Sequence, residues 1–115
     1  MERAFEGFVG VVQGDRDPIA EAAAWNQKEP EILLEWLTDW LGDIVRLASG
    51  HPSPRLVNAD KGQALRGLQA RLRPRAVHRF LQRVLVARAA EDTTLNVQLL
   101  YESLLVEWAR VGRGG

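Results

Sequence analysis

The sequence predicts an all-α fold, a compact bundle of five to six helices with no sheet. Apolar residues recur at the spacing of amphipathic helices along most of the 115-residue chain. Prolines stand where helices begin, and no segment alternates apolar and polar residues as a half-buried strand does. A chain of this length buries roughly two-thirds of its unfolded surface on folding, so we expect a single core.

The first three helices follow from turn residues and apolar spacing. A helix over residues 2–13 should end at Gly14, because glycine readily adopts left-handed backbone geometry. Asp17 is a suitable N-cap, and Pro18 fits the first turn, where its missing N–H is not needed. Pro30 opens a longer helix whose apolar face is wide enough for several neighbours. The predicted stripes are Phe5, Phe8, Val9 and Val12 in the first helix and Leu33, Trp36, Leu37, Trp40, Leu41, Ile44, Val45 and Leu47 in the third.

Two further helices are predicted after a proline-rich loop. Gly50 ends the third helix, and residues 51–55 (HPSPR) cannot continue it, because proline lacks the backbone donor. Asn58 or Asp60 is expected to cap a fourth helix, and Pro74 to begin a fifth. The residues expected to face the core here are Leu65, Leu68, Leu72, Val77, Leu81, Val84 and Leu85.

The sixth helix begins at Asn96, whose side-chain oxygen can accept from a free backbone N–H in the first turn. A single domain is predicted over residues 1–111, followed by a flexible, glycine-rich tail over residues 112–115. The apolar stripe of this helix is Val97, Leu100, Tyr101, Leu104, Leu105, Trp108 and Val111.

Composition excludes several classes of protein. With no cysteine, the chain has no disulfides, no thiolate nucleophile and no cysteine-based zinc site. No apolar run approaches the roughly 18 residues that a membrane span needs, so no membrane contact is expected. The N-terminal segment MERAFEGF lacks the apolar core of a signal peptide, which predicts a cytoplasmic protein.

The chain offers poor material for catalysis, and we expect no enzyme activity, cofactor, metal or small-molecule substrate. His51 and His78 are not spaced as metal ligands, and no glycine-rich phosphate loop occurs. The acidic residues of the third helix are interpreted as its solvent-facing side, in preference to a site for a cation or a basic partner; they are Glu31, Glu35, Asp39 and Asp43.

Charge is unevenly distributed although it sums to zero. Residues 1–43 carry a net −7, residues 44–90 a net +9 and residues 91–115 a net −2. A basic middle between acidic ends fits either internal complementarity, which we favour, or a basic face reserved for an acidic partner.

The fifth helix carries the most coherent basic face. Arg75, Arg79 and Arg83 lie at i, i+4 and i+8, with Val86 on the same side. This face is interpreted first as a solvated face that also neutralises acidic neighbours, next as a protein interface and last as a nucleic-acid site. Nucleic acid comes last because dedicated nucleic-acid domains are usually basic overall and this chain has a pI near 6.7. Trp108 fits either the core or an interface with another protein, since tryptophan is enriched at interface hot spots.

Three segments resemble the C-terminal domain of the bacterial DNA polymerase III delta-prime subunit, a clamp-loader family. Residues 29–50 (EPEILLEWLTDWLGDIVRLASG) and 56–60 (LVNAD) are similar to that domain in order and spacing. The closing helix supplies the third segment, with Asn96, Gln98, Leu99, Leu100, Glu102, Leu104, Leu105 and Trp108.

The resemblance implies a helical collar domain that joins the delta and gamma or tau subunits. Such an assembly loads the sliding clamp onto primed DNA during replication, as part of a DNA-directed DNA polymerase, and the domain would meet DNA only through the assembly. The ATPase-like and zinc-bearing regions of the family are expected to be absent here, so neither ATP nor zinc is carried over. The alternatives are the collar domain of another clamp-loader subunit, or a small helical DNA-binding protein that uses the arginine face. The candidate interface residues are Arg75, Arg79, Arg83, Val86, Tyr101 and Trp108.

Overall fold

A computed structural model describes residues 1–51, 54–90 and 96–114. Within these ranges the chain forms six α-helices and no strand, which confirms the predicted fold class. A short 3-10 turn, Ala59–Lys61, precedes the fourth helix. The helices are α1 (Glu2–Gln13), α2 (Pro18–Trp25), α3 (Pro30–Ala48), α4 (Gly62–Arg71), α5 (Pro74–Ala89) and α6 (Val97–Gly112).

The predicted N-caps of α2 and α6 are confirmed. The Asp17 carboxylate accepts from the backbone N–H of Ala20 at 2.9 Å, and the Asn96 side-chain oxygen accepts from Leu99 N–H at 3.0 Å. Each satisfies one of the backbone donors that the first turn of a helix leaves without a partner.

The C-terminal ends of α1 and α3 are also as predicted. Gly14 and Gly50 have φ angles of 83° and 81°, the left-handed geometry that glycine adopts without a steric penalty. Helix α6 continues through Gly112, one residue into the segment predicted as tail. Of the loop over residues 51–55, positions 52 and 53 lie outside the described residues, and the other three are not helical.

The predicted cap of α4 is wrong. Neither Asn58 nor Asp60 provides a side-chain cap, and the helix begins after the 3-10 turn at Gly62. The preceding loop is instead held by Asp43 of α3, whose two carboxylate oxygens accept from Val57 N–H at 2.8 Å and Asn58 N–H at 2.9 Å.

The helices pack in two groups around one core. Helix α3 packs against α4 and α5, and helix α6 packs against α1, α2 and α5. Trp40 of α3 joins the groups, since its ring lies 5.1 Å from Phe5 and 5.0 Å from Phe8 of α1. The wide face predicted for α3 does contact more than one neighbour. The radius of gyration is 13.3 Å, close to the ~13 Å expected for a folded domain of this length.

The core-facing side of α5 differs from the prediction. Val77 and Val84 are buried and Leu81 is half-buried, but Leu85 is 38% exposed. Phe80 takes a core position and stacks on Trp108 with ring centroids 5.1 Å apart. A large aromatic ring gains more from burial than a second leucine, so the helix is rotated toward Phe80.

Candidate protein interface

The basic middle of the chain is only partly neutralised inside the fold. Lys61 pairs with Glu2 at 2.6 Å, and Arg83 lies 3.5 Å from Glu107. Arg46 lies 3.6 Å from Asp43, and these three pairs join the basic middle to the acidic ends. Other arginines of the middle have no ion pair to a described residue and are exposed; they include Arg66, Arg71, Arg73, Arg75 and Arg79. Internal complementarity therefore accounts for only part of the charge pattern.

Lys61 is a buried cation with a local network. Its ammonium donates to Glu2 at 2.6 Å and to Asp60 at 3.4 Å, and lies 5.1 Å from the centroid of the Phe5 ring. The hydrogen bond to Glu2 raises the pKa of Lys61 against the opposing effect of burial. This lysine thereby fixes the start of α1 against the 3-10 turn, a contact that sequence reasoning missed.

The acidic stripe of α3 is not wholly solvent-facing. Glu31 and Glu35 are exposed, whereas Asp43 is completely buried, which corrects its assignment to the wet side. Burial raises the pKa of Asp39, helped by repulsion from Glu35 and Asp43 and opposed by Arg88 and Arg46. The spacing of the acids placed them on one face, but only the fold reveals the two backbone donors that Asp43 serves.

Of the predicted arginine face, Arg75 and Arg79 are exposed and Arg83 is not free. Arg83 donates to Ser103 Oγ at 3.2 Å and lies 3.5 Å from Glu107, so it bridges α5 to α6. The ion pair with Glu107 agrees with the interpretation of this face as one that also neutralises acidic neighbours, and it leaves Arg75 and Arg79 as the arginines of the face without an ion pair to a described residue.

Tyr101 and Trp108 are core residues, and their predicted position at a partner-facing surface is wrong. Both side chains are 0% exposed. The Tyr101 hydroxyl donates to the Lys28 carbonyl oxygen at 2.7 Å, and Trp108 Nε1 donates to the Phe8 carbonyl oxygen at 2.7 Å. Burial, and to a lesser degree the charge of Glu29, raises the pKa of Tyr101 to about 12. Each polar end is satisfied within the domain, as buried Tyr and Trp require.

Val86 does lie on the surface, as predicted, at 65% exposure. Contacts between α5 and α6 run from Phe80 with Trp108 to Arg83 with Ser103, so position rises on one helix as it falls on the other. The two helices are therefore antiparallel, which places Val86 level with Leu99, itself 60% exposed.

A shallow groove of about 350 Å³ extends this surface from α6 to α2. Its lining includes Leu99, Ser103 and Val106 of α6 and Ile19 of α2, which is 46% exposed. We refer to Ile19, Val86, Leu99, Ser103 and Val106 together as the outer α6 surface. It carries three exposed aliphatic side chains on three helices, and the groove is also lined by Glu102, Glu107 and Arg110. Exposed apolar side chains grouped among charged ones are typical of interaction sites.

A second, larger groove lies between the end of α3 and the α4–α5 corner. Its volume is about 660 Å³. The floor is apolar, and Arg75, His78 and Arg79 of α5 lie along one rim. We call this the α3–α5 groove. Its floor is formed by Ile44, Val45, Ala48, Leu72 and Val77.

Two kinds of site do not occur among the described residues. No group of three or more His, Asp or Glu side chains there could hold a metal ion. None of the described helices combines the length and hydrophobicity that crossing a bilayer requires.

Comparison with protein families identifies the family to which this helical domain belongs. A model of the family described as DNA polymerase III, delta subunit, C terminal, matches residues 2–110, which is almost the whole chain. The chain belongs to this family. Neither a curated protein nor a solved structure gives a significant match to it.

Family membership makes this C-terminal domain of a delta subunit a component of the DNA polymerase III clamp loader. It implies other DNA polymerase III subunits as partners. The surfaces of interest are therefore those suited to contact with another protein. The predicted family class, replication role and all-helical fold are confirmed at this level.

Sequence reasoning named Val86, Arg75 and Arg79 but missed the rest of the two surfaces that this delta C-terminal domain offers. The exposed Leu99 follows directly from helical spacing, because the core stripe of α6 passes through Leu100 and Leu104 and leaves Leu99 outside it. The α3–α5 groove had no such signal, since its floor combines residues about thirty positions apart.

Proposed function

We propose that this domain is the collar-forming C-terminal domain of a delta-prime subunit, which joins delta and gamma or tau subunits without catalysis of its own. The assembly it serves loads the sliding clamp onto primed DNA. DNA contact in this proposal occurs only through the assembly.

The delta-prime assignment draws support from how the resembling segments are arranged. Residues 29–50 contain α3, and residues 56–60 form the loop that Asp43 of α3 binds through Val57 N–H and Asn58 N–H. Two of the three segments that resemble delta-prime in sequence are thus in direct contact, as parts of one structural unit would be.

The outer α6 surface is the observation that carries the collar role. Val86 and Leu99 lie level with each other at 65% and 60% exposure, although the domain has a well-filled core elsewhere. Arg83 links α5 to α6 one helical turn from Val86, through Ser103 and Glu107, so the two helices are connected before a partner arrives. A pre-organised apolar surface loses less entropy on association than a flexible one.

The proposal is tested by assembly with the purified delta and gamma or tau subunits of the same organism. Size-exclusion chromatography with light scattering should show a stoichiometric complex that contains this chain. The double variant Val86→Asp with Leu99→Asp should elute apart from the other subunits, because two carboxylates cannot be buried there without partners.

Val57→Asp is the matched control, since Val57 is 57% exposed and belongs to the loop beside α3. It should assemble as the unmodified chain does. A complex that forms equally well with the double variant would overturn the outer α6 surface as the contact. Failure of the unmodified chain to co-elute would overturn the collar role itself.

The same mixture separates delta-prime from delta. A delta-prime chain adds to an assembly that already contains delta, whereas a delta-type chain competes with delta for one position. Native mass spectrometry should therefore show this chain and delta together in a single particle. Displacement of delta by this chain would contradict the delta-prime assignment.

A further inference from the structure

We propose that the α3–α5 groove is a second docking site, which binds an acidic segment of a partner protein through one bulky apolar side chain. This inference goes beyond the collar role and does not depend on it, because it concerns a different surface of the domain.

The shape and lining of the groove fit an apolar side chain. Its volume of about 660 Å³ lies within the roughly 300–1,000 Å³ of typical ligand pockets. Ile44 and Val77 at the base are almost fully buried, and Val45, Ala48 and Leu72 are half-buried. An inserted side chain would release water from these walls without a change in the bundle.

The rim supplies charge of one sign only. Arg75, His78 and Arg79 follow one another along α5, and all three are exposed. Neither arginine has an ion pair with a described residue, and no Asp or Glu is among the residues that line the groove. A carboxylate arriving here meets two unpaired guanidinium groups and no like charge, which is the complementarity that selects an acidic partner.

The lining favours an acidic protein over a nucleic acid, with His78 on the rim as the one aromatic ring on which a base could stack. Single-stranded nucleic acids bind grooves where bases stack on aromatic rings, and the lining contains no Phe, Tyr or Trp. Phosphates on the rim would leave the aliphatic floor exposed to water. An acidic peptide with an apolar side chain covers both rim and floor.

The test measures binding of fluorescein-labelled peptides to the isolated chain by fluorescence anisotropy. The probe is a short peptide, Glu-Glu-Leu-Phe-Glu-Glu, compared with Lys-Lys-Leu-Phe-Lys-Lys and Glu-Glu-Ser-Ser-Glu-Glu. Only the first supplies both carboxylates and an apolar side chain, so it should bind most tightly, and added salt should weaken its binding.

Two variants locate the site. Arg75→Glu combined with Arg79→Glu should weaken binding of the acidic peptide by about tenfold or more, because attraction is replaced by repulsion at two positions. Ala48→Trp, which fills the groove without a change of charge, should weaken it as well. Arg66→Glu with Arg113→Glu is the matched control, as both are exposed arginines outside the groove lining, and should bind nearly as the unmodified chain does.

Circular dichroism with thermal melting establishes that each variant is folded before its binding is compared. Equal binding by the groove variants and the control pair would overturn the proposal, and so would failure of the acidic apolar peptide to bind more tightly than the other two. A labelled oligothymidine that binds in an Arg75- and Arg79-dependent way while the peptide does not would assign the groove to nucleic acid instead. None of these results depends on whether the domain enters a clamp-loader complex.

Discussion

Trp108 donates its indole N–H to the carbonyl oxygen of Phe8 at 2.7 Å, across a hundred positions of sequence. The same indole stacks between the rings of Phe8 at 4.6 Å and Phe80 at 5.1 Å, so it touches α1 and α5 at once. Of the two roles that the sequence left open for Trp108, the core role is the one observed, and this side chain ties the last helix to the first. The collar contact that we propose therefore uses the outside of α6, around Leu99.

Replacing Trp108 by Phe should lower the free energy of unfolding by about 2–3 kcal/mol, through the lost hydrogen bond and the cavity left by the smaller ring. Trp40→Phe is the matched comparison, because Trp40 is equally buried and its indole N–H has no acceptor among the described residues. Trp40→Phe should lower the free energy of unfolding by about 1 kcal/mol less than Trp108→Phe does. Urea unfolding of both variants measures the difference, and equal losses would show that the bond to Phe8 contributes nothing.

Asp43→Asn should cost about 1–3 kcal/mol, since an amide presents one oxygen to two backbone donors and leaves the other donor facing an NH₂ group. The loosening should be confined to the loop that Asp43 binds. Amide hydrogen exchange at Val57 and Asn58 should accelerate more than exchange in the core helices. Glu35→Gln, an exposed acid on the same helix, serves as control and should leave both amides protected. Unchanged exchange at Val57 in the Asp43 variant would contradict the proposed anchor.

Gly112→Ala should destabilise the domain by about 1–3 kcal/mol, because an added Cβ would overlap the carbonyl oxygen of Val12 and force α6 away from α1. Gly67→Ala on α4 is the same substitution, but it should change stability in the opposite direction. A Cβ there meets nothing within 4 Å, so the helix should gain about 0.5–1 kcal/mol. Thermal melting of the two variants measures both changes in stability. If Gly112→Ala melts at the same temperature as the unmodified chain, α6 frays before residue 112.

Local sequence signals predicted the elements of this fold well. The Asp17 and Asn96 caps, the prolines at positions 18, 30 and 74 and the glycine at position 14 act within one turn of where they stand, so their effect can be worked out without the rest of the chain. The apolar stripes likewise predicted most core residues, because burial of one helix face is demanded by that helix alone.

Errors arose where a residue's partner lies far away in sequence. Asp43 was predicted to be solvated because helical spacing does not show its donors at Val57 and Asn58. Spacing likewise did not show which acid Arg83 neutralises, because Ser103 and Glu107 lie on another helix. The candidate interface shifted for the same reason. Periodicity gives a wide apolar face on α6, but only packing decides which part of it the other helices cover.

Tyr101 provides a test of the buried contact between α6 and the α2–α3 turn. It is the only tyrosine of the chain, so the absorbance of tyrosinate reports this residue alone. Burial raises its pKa from 10.0 to about 12, which means that the folded state holds the proton more tightly than the unfolded state. The resulting stabilisation is fully present below pH 10.0 and is lost as pH rises toward about 12.

The total loss over this window should be about 2–3 kcal/mol, from the size of the shift. The pKa of Lys61 is also raised, so its contribution to stability is lost at high pH as well. A variant is therefore needed to separate the effect of Tyr101 from that of Lys61. Tyr101→Phe removes only the tyrosine contribution. Unfolding in urea at a series of pH values should therefore show a steeper decline for the unmodified chain than for Tyr101→Phe, and parallel curves would mean that Tyr101 titrates as an exposed phenol does.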